Sequence, residues 1–233
     1  MLSDVMEDYL KAIYELETEC GGPVGTSAIA EYLDVTSPTV TSMMEKLAER
    51  DLVDREKYAG VELTDDGERV ALEIIRHHRL IEAYLAEHLD YEWSEVHEEA
   101  DVLEHHISEN FEERVAAALG EPAVDPHGDP IPGADLEPLA EDETRPLCEF
   151  GAGDVVTVAR VRDRNEEELS YLADAGIVPG RRLEITEVAP IGMYTVVHED
   201  HEAHLPESIA AVTRVYPAAD DDARSPEEVP GVR

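Results

Sequence analysis

The sequence predicts a mainly α protein with a small β part: a helical module with one β-hairpin, then long amphipathic helices, then a compact β-barrel. Three observations predict it. Apolar residues recur at three- and four-residue spacing from residue 3 to about residue 119, the period switches to two after Gly153, and a proline-rich segment separates the two regimes.

Residues 3–19 read as the first helix, with Val5, Tyr9, Ala12, Ile13 and Leu16 on one face and Gly21, Gly22 and Pro23 stopping it. A short helix from Thr26 to Leu33 presents Ile29, Ala30 and Leu33. Ser37 as N-cap and Pro38 as first helical residue open the next helix, which runs to about Arg50 with Val40, Met43, Met44 and Leu47 inward. Leu52 and Val53 begin a strand, Tyr58, Ala59 and Gly60 turn, and Val61 and Leu63 return. Helix, helix, turn, helix, hairpin is the order of a winged helix-turn-helix, here over residues 1–64.

Thr64 caps a long helix over about 65–89, in which Val70, Ile74, Leu80, Ile81, Tyr84 and Leu85 are apolar. Ser94 caps another over about 95–119, with Val96, Ala100, Leu103, Ile107, Phe111 and Val115 apolar, and Gly120 and Pro122 end it. Two such helices carry more apolar surface than a small winged helix needs, and a twofold dimer buries the surplus. This helical domain spans 65–140 and ends in a proline-rich linker centred on DPHGDPIPG. Over 150–217, VVTVARV, RRLEITEV and MYTVVHE alternate as strands, and EEELSYLADAGIVPG holds one short helix. About five short strands there make a small barrel. Residues 218–233 are an acidic tail expected to be disordered.

Composition narrows the function classes. Fifty-six acids stand against 18 bases, a formal net charge of −38, and only Lys11, Lys46 and Lys57 are lysines. A folded, very acidic, lysine-poor chain looks like one from an extreme halophile. Cys20 and Cys148 lie far apart, with neither zinc spacing nor a disulfide framework, which points to a reducing compartment. No run approaches the roughly 18 apolar residues of a membrane span. The start, MLSDVMEDYL, lacks the basic and apolar regions of a signal peptide, so a cytoplasmic location is expected. Metalloprotease, nucleophile-elbow, phosphate-loop and dinucleotide motifs are all missing, and the expectation is a non-enzyme.

Acids and histidines concentrate in the helical middle, which holds six of the ten histidines between residues 77 and 106. Asp101, Glu104 and His105 stand at i, i+3 and i+4, and so share one helix face, with His97 one turn earlier. His78 and Glu82 form another i, i+4 pair. Oxygens and an imidazole on one face make a divalent-metal half-site, which Asp8 or its neighbour Glu7 on the first helix completes. In so acidic a chain a carboxylate cluster also reads as a solvated face; histidine enrichment is the feature that halophilic surface chemistry does not supply.

The motifs MEDYLKAIYEL, SPTVTSMMEKLAERDLV, YAGVELTDDG, HHRLIEAYL, VHEEADVLEHHIS and GDPIPG resemble, at matching mutual spacing, the diphtheria toxin repressor and manganese transport regulator family of metal-dependent transcriptional regulators. The resemblance covers about residues 3–217 and implies a winged helix, a metal-binding dimerisation domain and an SH3-like barrel of the kind shared with ferrous-iron-transport accessory proteins. By that resemblance the regulatory site is Asp8, Asp101, Glu104 and His105, and the ancillary site is His78, Glu82 and His97, with Glu168 and Asn165 aligning as barrel ligands. Two sites per subunit follow. The family's iron-responsive members carry sulfur ligands at the positions of Asp8 and Asp101. Carboxylates there tip the metal toward Mn(II), with Fe(II) second. Where the manganese regulators have a glutamate this chain has Lys11, a cation that argues against a paired manganese centre.

The resemblance also implies a homodimer that represses metal-uptake genes from a palindromic double-stranded operator. Ser37, Pro38, Thr39, Thr41 and Ser42 then face the major groove, and Lys46, Arg50, Arg55 and Lys57 meet phosphates. Residues 26–64 nevertheless hold eight acids against those four bases. At about 1 M salt the Debye length is roughly 3 Å, so bulk charge ceases to matter beyond contact range. Two other readings stay open: a winged-helix regulator whose acid and histidine cluster is only structural, and a metalloenzyme or metal buffer.

Overall fold

The computed structural model describes residues 2–56, 60–139, 143–162, 166–199 and 201–218. Lys57, Tyr58, Ala59, Asn165 and the tail from residue 219 lie outside the described residues. The chain divides into two compact units between Glu141 and Asp142.

In the first unit, α1 (Asp4–Cys20), α2 (Thr26–Tyr32) and α3 (Ser37–Ala48) precede the hairpin of β1 (Val53–Glu56) and β2 (Gly60–Leu63). Helix α1 ends where Gly21 turns left-handed at φ 71° and donates its N–H to the Glu17 carbonyl. Helix α3 starts one residue earlier than expected: Thr36 is its N-cap, Ser37 is already helical, and Pro38 stays in the first turn, where its missing N–H costs nothing. Leu10, Ile13, Ile29, Val40, Met44 and Leu47 are completely buried in one core with Val61 of the wing and Leu72 of the next helix.

Helix α4 (Asp65–His88) opens on Thr64, whose hydroxyl accepts from the Gly67 N–H, as the sequence predicts. Gly67 is required there, because a Cβ would lie 1.9 Å from the Leu52 carbonyl oxygen. The helix expected over 95–119 is instead two helices, α5 (Val96–Leu103) and α6 (Glu109–Ala118). Ser108 breaks it by accepting from the Phe111 N–H and capping α6, and the cap of α5 is Glu95 rather than Ser94. The break lets both helices wrap α4, α5 against Ile81 and Leu85, and α6 against Leu80. Phe111, expected inward, is 48% exposed as a result.

The proline-rich segment is ordered as far as it is described. Ile131 packs with Leu80, Val115 and Ala116, the Pro132 carbonyl accepts from Arg76 Nη1 at 2.6 Å, and the Pro126 carbonyl accepts from Trp93 Nε1 at 2.8 Å.

The second unit holds a six-stranded antiparallel sheet in the order β3-β8-β4-β5-β6-β7. Its strands are β3 (Arg145–Pro146), β4 (Val155–Val161), β5 (Arg182–Ala189), β6 (Met193–His198), β7 (His201–Pro206) and β8 (Thr213–Pro217), with α7 (Glu166–Asp174) and α8 (Glu207–Val212) between them. Register shifts after Val158 and after Ile185 bend the sheet around Val156, Val158, Leu183, Ile185, Val196, Leu205 and Val215. Strands β3, β7 and β8 are additions to the three strands that the sequence reading named. Among the described residues no helix is long and apolar enough to cross a membrane.

One contact between α1 and the wing has a pH signature. Glu17 Oε1 accepts from the Leu63 N–H at 2.8 Å. Burial, helped by Glu62 and Glu68 against that hydrogen bond, pushes its carboxyl up from 4.5 to about 7. The folded state therefore holds this proton more tightly than the unfolded state does. Its stabilising effect is full below about pH 4.5 and is lost as pH rises through about 7. Glu17→Gln, which keeps the acceptor, is expected to stabilise by on the order of 1 kcal/mol at pH 8, allowing for its half-exposed position, and by almost nothing at pH 4. Thermal melts of both proteins across that range check it.

Candidate metal centre

The expected ligands arrive from four elements: Asp8 from α1, His78 and Glu82 from α4, His97 and Asp101 from α5, and Glu104 and His105 from the turn that follows α5. They do not lie on one uninterrupted helix face. Glu104, at the C-cap of α5, is 1% exposed, and its two oxygens meet different partners.

One oxygen joins the first group, Asp8, Glu104 and His105, whose ligating atoms all lie within 4.8 Å of one another. His105 Nε2 is 3.0 Å from Asp8 Oδ1 and 3.5 Å from Glu104 Oε1, while its Nδ1 is 2.8 Å from Glu7 Oε2. Burial raises the Asp8 carboxyl, countered by His105 and reinforced by Glu104. Burial opposes the charge on His105, but Glu7, Glu104 and Asp8 outweigh it and raise the imidazole. The group gathers negative charge and draws a proton to offset it.

Asp101 sits in a second group with His78 and His97 rather than with Asp8. His78 Nδ1 lies 3.3 Å from Asp101 Oδ1, and His97 Nε2 lies 3.6 Å from Asp101 Oδ2. On the far side, His78 Nε2 is 3.0 Å from Glu82 Oε1 and 3.1 Å from His97 Nδ1. Burial and Lys11 press the His78 imidazole down, yet Glu82 and Glu104 bring it to about 9.

Lys11 lies between these two groups. Its ammonium donates to Glu104 Oε2 at 2.9 Å and to Asp101 Oδ1 at 3.1 Å, and lies 3.0 Å from His78 Nδ1. Burial disfavours the charge, but Glu104, Asp101 and Glu15 outweigh it and hold Lys11 protonated. A side-chain cation thus occupies a place lined by three ligand-type atoms.

A third group, Glu82, Asp125 and His127, was not visible in the sequence reading, which assigned DPHGDPIPG to a linker. All three residues are buried. His127 Nε2 donates to the Trp93 carbonyl at 2.9 Å, and its Nδ1 faces Glu82 Oε1 at 3.7 Å. Asp125 Oδ1 accepts from the His127 and Asp129 N–H groups. Burial and the Glu82 charge push the Asp125 carboxyl well up. Glu82 itself is held low, because His78, His127 and His97 overcome its burial. The signal was a histidine, a rare residue, two positions after an aspartate in a segment set by prolines.

Glu82 Oε2 and Asp125 Oδ2 are buried without a hydrogen-bond partner, although Arg79 Nε faces Asp125 Oδ2 at 3.6 Å. Such atoms cost about 1–3 kcal/mol each, more when charged, and a cation would satisfy them. With oxygen and imidazole donors and no sulfur in any of the three groups, the donor set fits a divalent ion such as Mn(II) or Fe(II). Glu168 stands on α7 in the second unit.

Apart from Lys57, which lies outside the described residues, the residues that the sequence reading assigns to DNA lie on α3, just after it, or on β1. Ser37, Pro38, Thr39 and Ser42 are exposed along the start of α3, with Lys46 and Arg50 at its far end. Thr41 is half-buried and its hydroxyl donates to the Ser37 carbonyl at 3.0 Å. Arg55 on β1 faces Glu45 at 3.8 Å.

Comparison with known proteins agrees with both halves. Residues 1–61 match the model for the iron dependent repressor N-terminal DNA binding domain, residues 64–133 the iron dependent repressor metal binding and dimerisation domain, and residues 145–217 the FeoA domain. The chain is 36% identical to the iron-dependent repressor IdeR of Mycobacterium tuberculosis over 227 residues, 92% of this chain and 97% of that protein. It superposes on a manganese-dependent transcriptional repressor in complex with manganese at TM-score 0.84 and 38% identity, covering 91% of this chain and all of the other. The manganese regulator SloR superposes at TM-score 0.76 and 36% identity, covering 91% and 98%. The chain belongs to the iron-dependent repressor family of metal-dependent, DNA-binding transcriptional repressors, with an N-terminal winged helix, a helical dimerisation domain and a C-terminal SH3-like FeoA domain.

Proposed function

We propose that this chain is a cytoplasmic homodimer that represses metal-uptake genes from palindromic operators when Mn(II), or secondarily Fe(II), is bound. One observation carries the reading: Asp8 of the winged helix and Glu104 and His105 of the helical domain converge within 4.8 Å. A divalent ion held there supplies positive charge and directional bonds between the two parts of the first unit. Asp8 sits on the helix whose Leu10 and Ile13 pack in the same core as Val40 and Met44 of α3, so the orientation of the reading helix follows that of α1. In a twofold dimer that orientation decides whether two recognition helices meet major-groove half-sites about 34 Å, or multiples of it, apart.

The second metal uses the buried side of the seam, His78, Glu82 and His97, to which Asp125 and His127 add donors. Lys11 argues against a paired centre that bridges Asp8 and Asp101. A homodimer is supported by Leu89, Val102 and Phe111, which stay 52%, 63% and 48% exposed on the helical domain. Carboxylate donors favour manganese over softer ions.

The self-neutralised state of the cluster, with Lys11 as internal cation, favours one competitor: a winged-helix repressor whose acid and histidine seam is structural. Operator binding in about 1 M KCl, with Mn(II), anaerobic Fe(II), Zn(II) or chelator, separates the two. Metal-dependent binding is expected, and binding indifferent to chelator would establish the competitor. Across moderate to molar KCl the affinity is expected to fall far less than for ordinary repressors, since counterion release yields little at high salt and a chain of net charge −38 has a repulsion to screen.

A further inference from the structure

We infer that the β6–β7 turn of the barrel is a second kind of metal site, in which His198, Glu199 and His201 hold one zinc-class divalent ion. At the facing ends of β6 and β7, His198 pairs directly with His201. Residues opposite each other in an antiparallel pair project to the same face, so both imidazoles stand side by side. Their ring centroids are 5.5 Å apart with planes 12° from parallel. One ligating atom from each of His198, Glu199 and His201 lies within 4.8 Å of the others.

The second, independent observation is the state of His198. It is 7% exposed, and its Nε2 lies 2.7 Å from the Ala175 carbonyl oxygen. A carbonyl only accepts, so Nε2 carries the hydrogen and Nδ1 is the ring atom left for a cation. That Nδ1 is buried with no hydrogen-bond partner. Metal-bound histidines are commonly oriented in this way, with the other ring nitrogen donating to a backbone carbonyl. Local backbone keeps the ring in place: Gly176 follows Ala175 at φ 68°, and a Cβ there would lie 2.6 Å from His198 Cε1. The remaining two donors are open to solvent, Glu199 73% exposed and His201 exposed, so an ion has a path in. Arg181 Nη1 is 3.4 Å from Glu199 Oε1, a surface contact that an arriving dication would displace or share.

Two imidazoles and one carboxylate, with open positions left over, suit zinc and the later first-row ions better than manganese. The site is therefore chemically distinct from the oxygen-rich helical seam and independent of the operator-binding reading. The test is zinc content and affinity of the full-length chain after equilibrium dialysis, for wild type, His201→Ala, Glu199→Gln and Asp8→Ala. His201 is exposed, so its replacement leaves the barrel core untouched. Expected are one zinc fewer in His201→Ala, at least about tenfold weaker binding at this site in Glu199→Gln, and retention of the site in Asp8→Ala. An unchanged zinc count in His201→Ala overturns the proposal, whatever Glu199→Gln does.

Discussion

Asp8→Ala and His105→Ala are each expected to lower operator affinity in Mn(II) to the level seen with chelator, a loss on the order of 100-fold. Removing even an outer partner of a metal ligand weakens binding about 10–100-fold, and these two are direct donors in the proposed site. The fold should survive Asp8→Ala. Asp8 is 45% exposed, and its carboxylate converges with that of Glu104 on one imidazole nitrogen, so deleting it relieves repulsion. Anisotropy titration of an operator duplex, paired with a melt of the metal-free protein, separates loss of switching from loss of structure. Normal metal-dependent binding in both variants would mean that the regulatory site lies elsewhere.

Lys11→Met is expected to have the largest effect on the metal-free protein. The substitution keeps the length and apolar stem of the side chain and deletes its charge. Glu104, 1% exposed, then loses an ammonium 2.9 Å away, and Asp101 and His78 lose the same neighbour. Breaking one partner out of a buried ion pair costs about 3–5 kcal/mol. A drop of roughly 3 kcal/mol in the first unit, near 10 °C in its midpoint, is the expected result. Millimolar Mn(II) should restore most of it, because a dication can take the place the ammonium left, and metal affinity should rise by at least about tenfold. A melt insensitive to Lys11→Met would show that the cluster does not need its internal cation.

Much of this architecture is legible in the chain. Thr64 caps α4 as its position before an acidic first turn predicts, and Ser37, Thr39 and Ser42 of α3 are exposed. These features are local, and local chemistry is what sequence patterns encode. The break between α5 and α6 is not visible by period, because Ile107, Phe111 and Val115 continue the helical spacing across it; a serine cap decides the matter, and serine also occurs inside helices. Asp125 and His127 escaped because prolines mark irregular backbone without saying whether it is buried. Lys11 was recognised as a cation near the site, but its placement between Glu104, Asp101 and His78 joins residues 67 to 93 positions apart, which no spacing rule reaches.

The brace around residues 125–132 has an optical consequence. The chain contains a single tryptophan, Trp93, whose indole N–H is held by the Pro126 carbonyl and whose ring lies 5.0 Å from that of His127, tilted by 47°. Its own carbonyl accepts from His127, which in turn faces Glu82. The protein thus carries one indole, bonded through its ring N–H and its backbone carbonyl to the buried side of the polar seam. The emission of that indole is a local gauge of the charge on Glu82, Asp125 and His127, with no other tryptophan to dilute it.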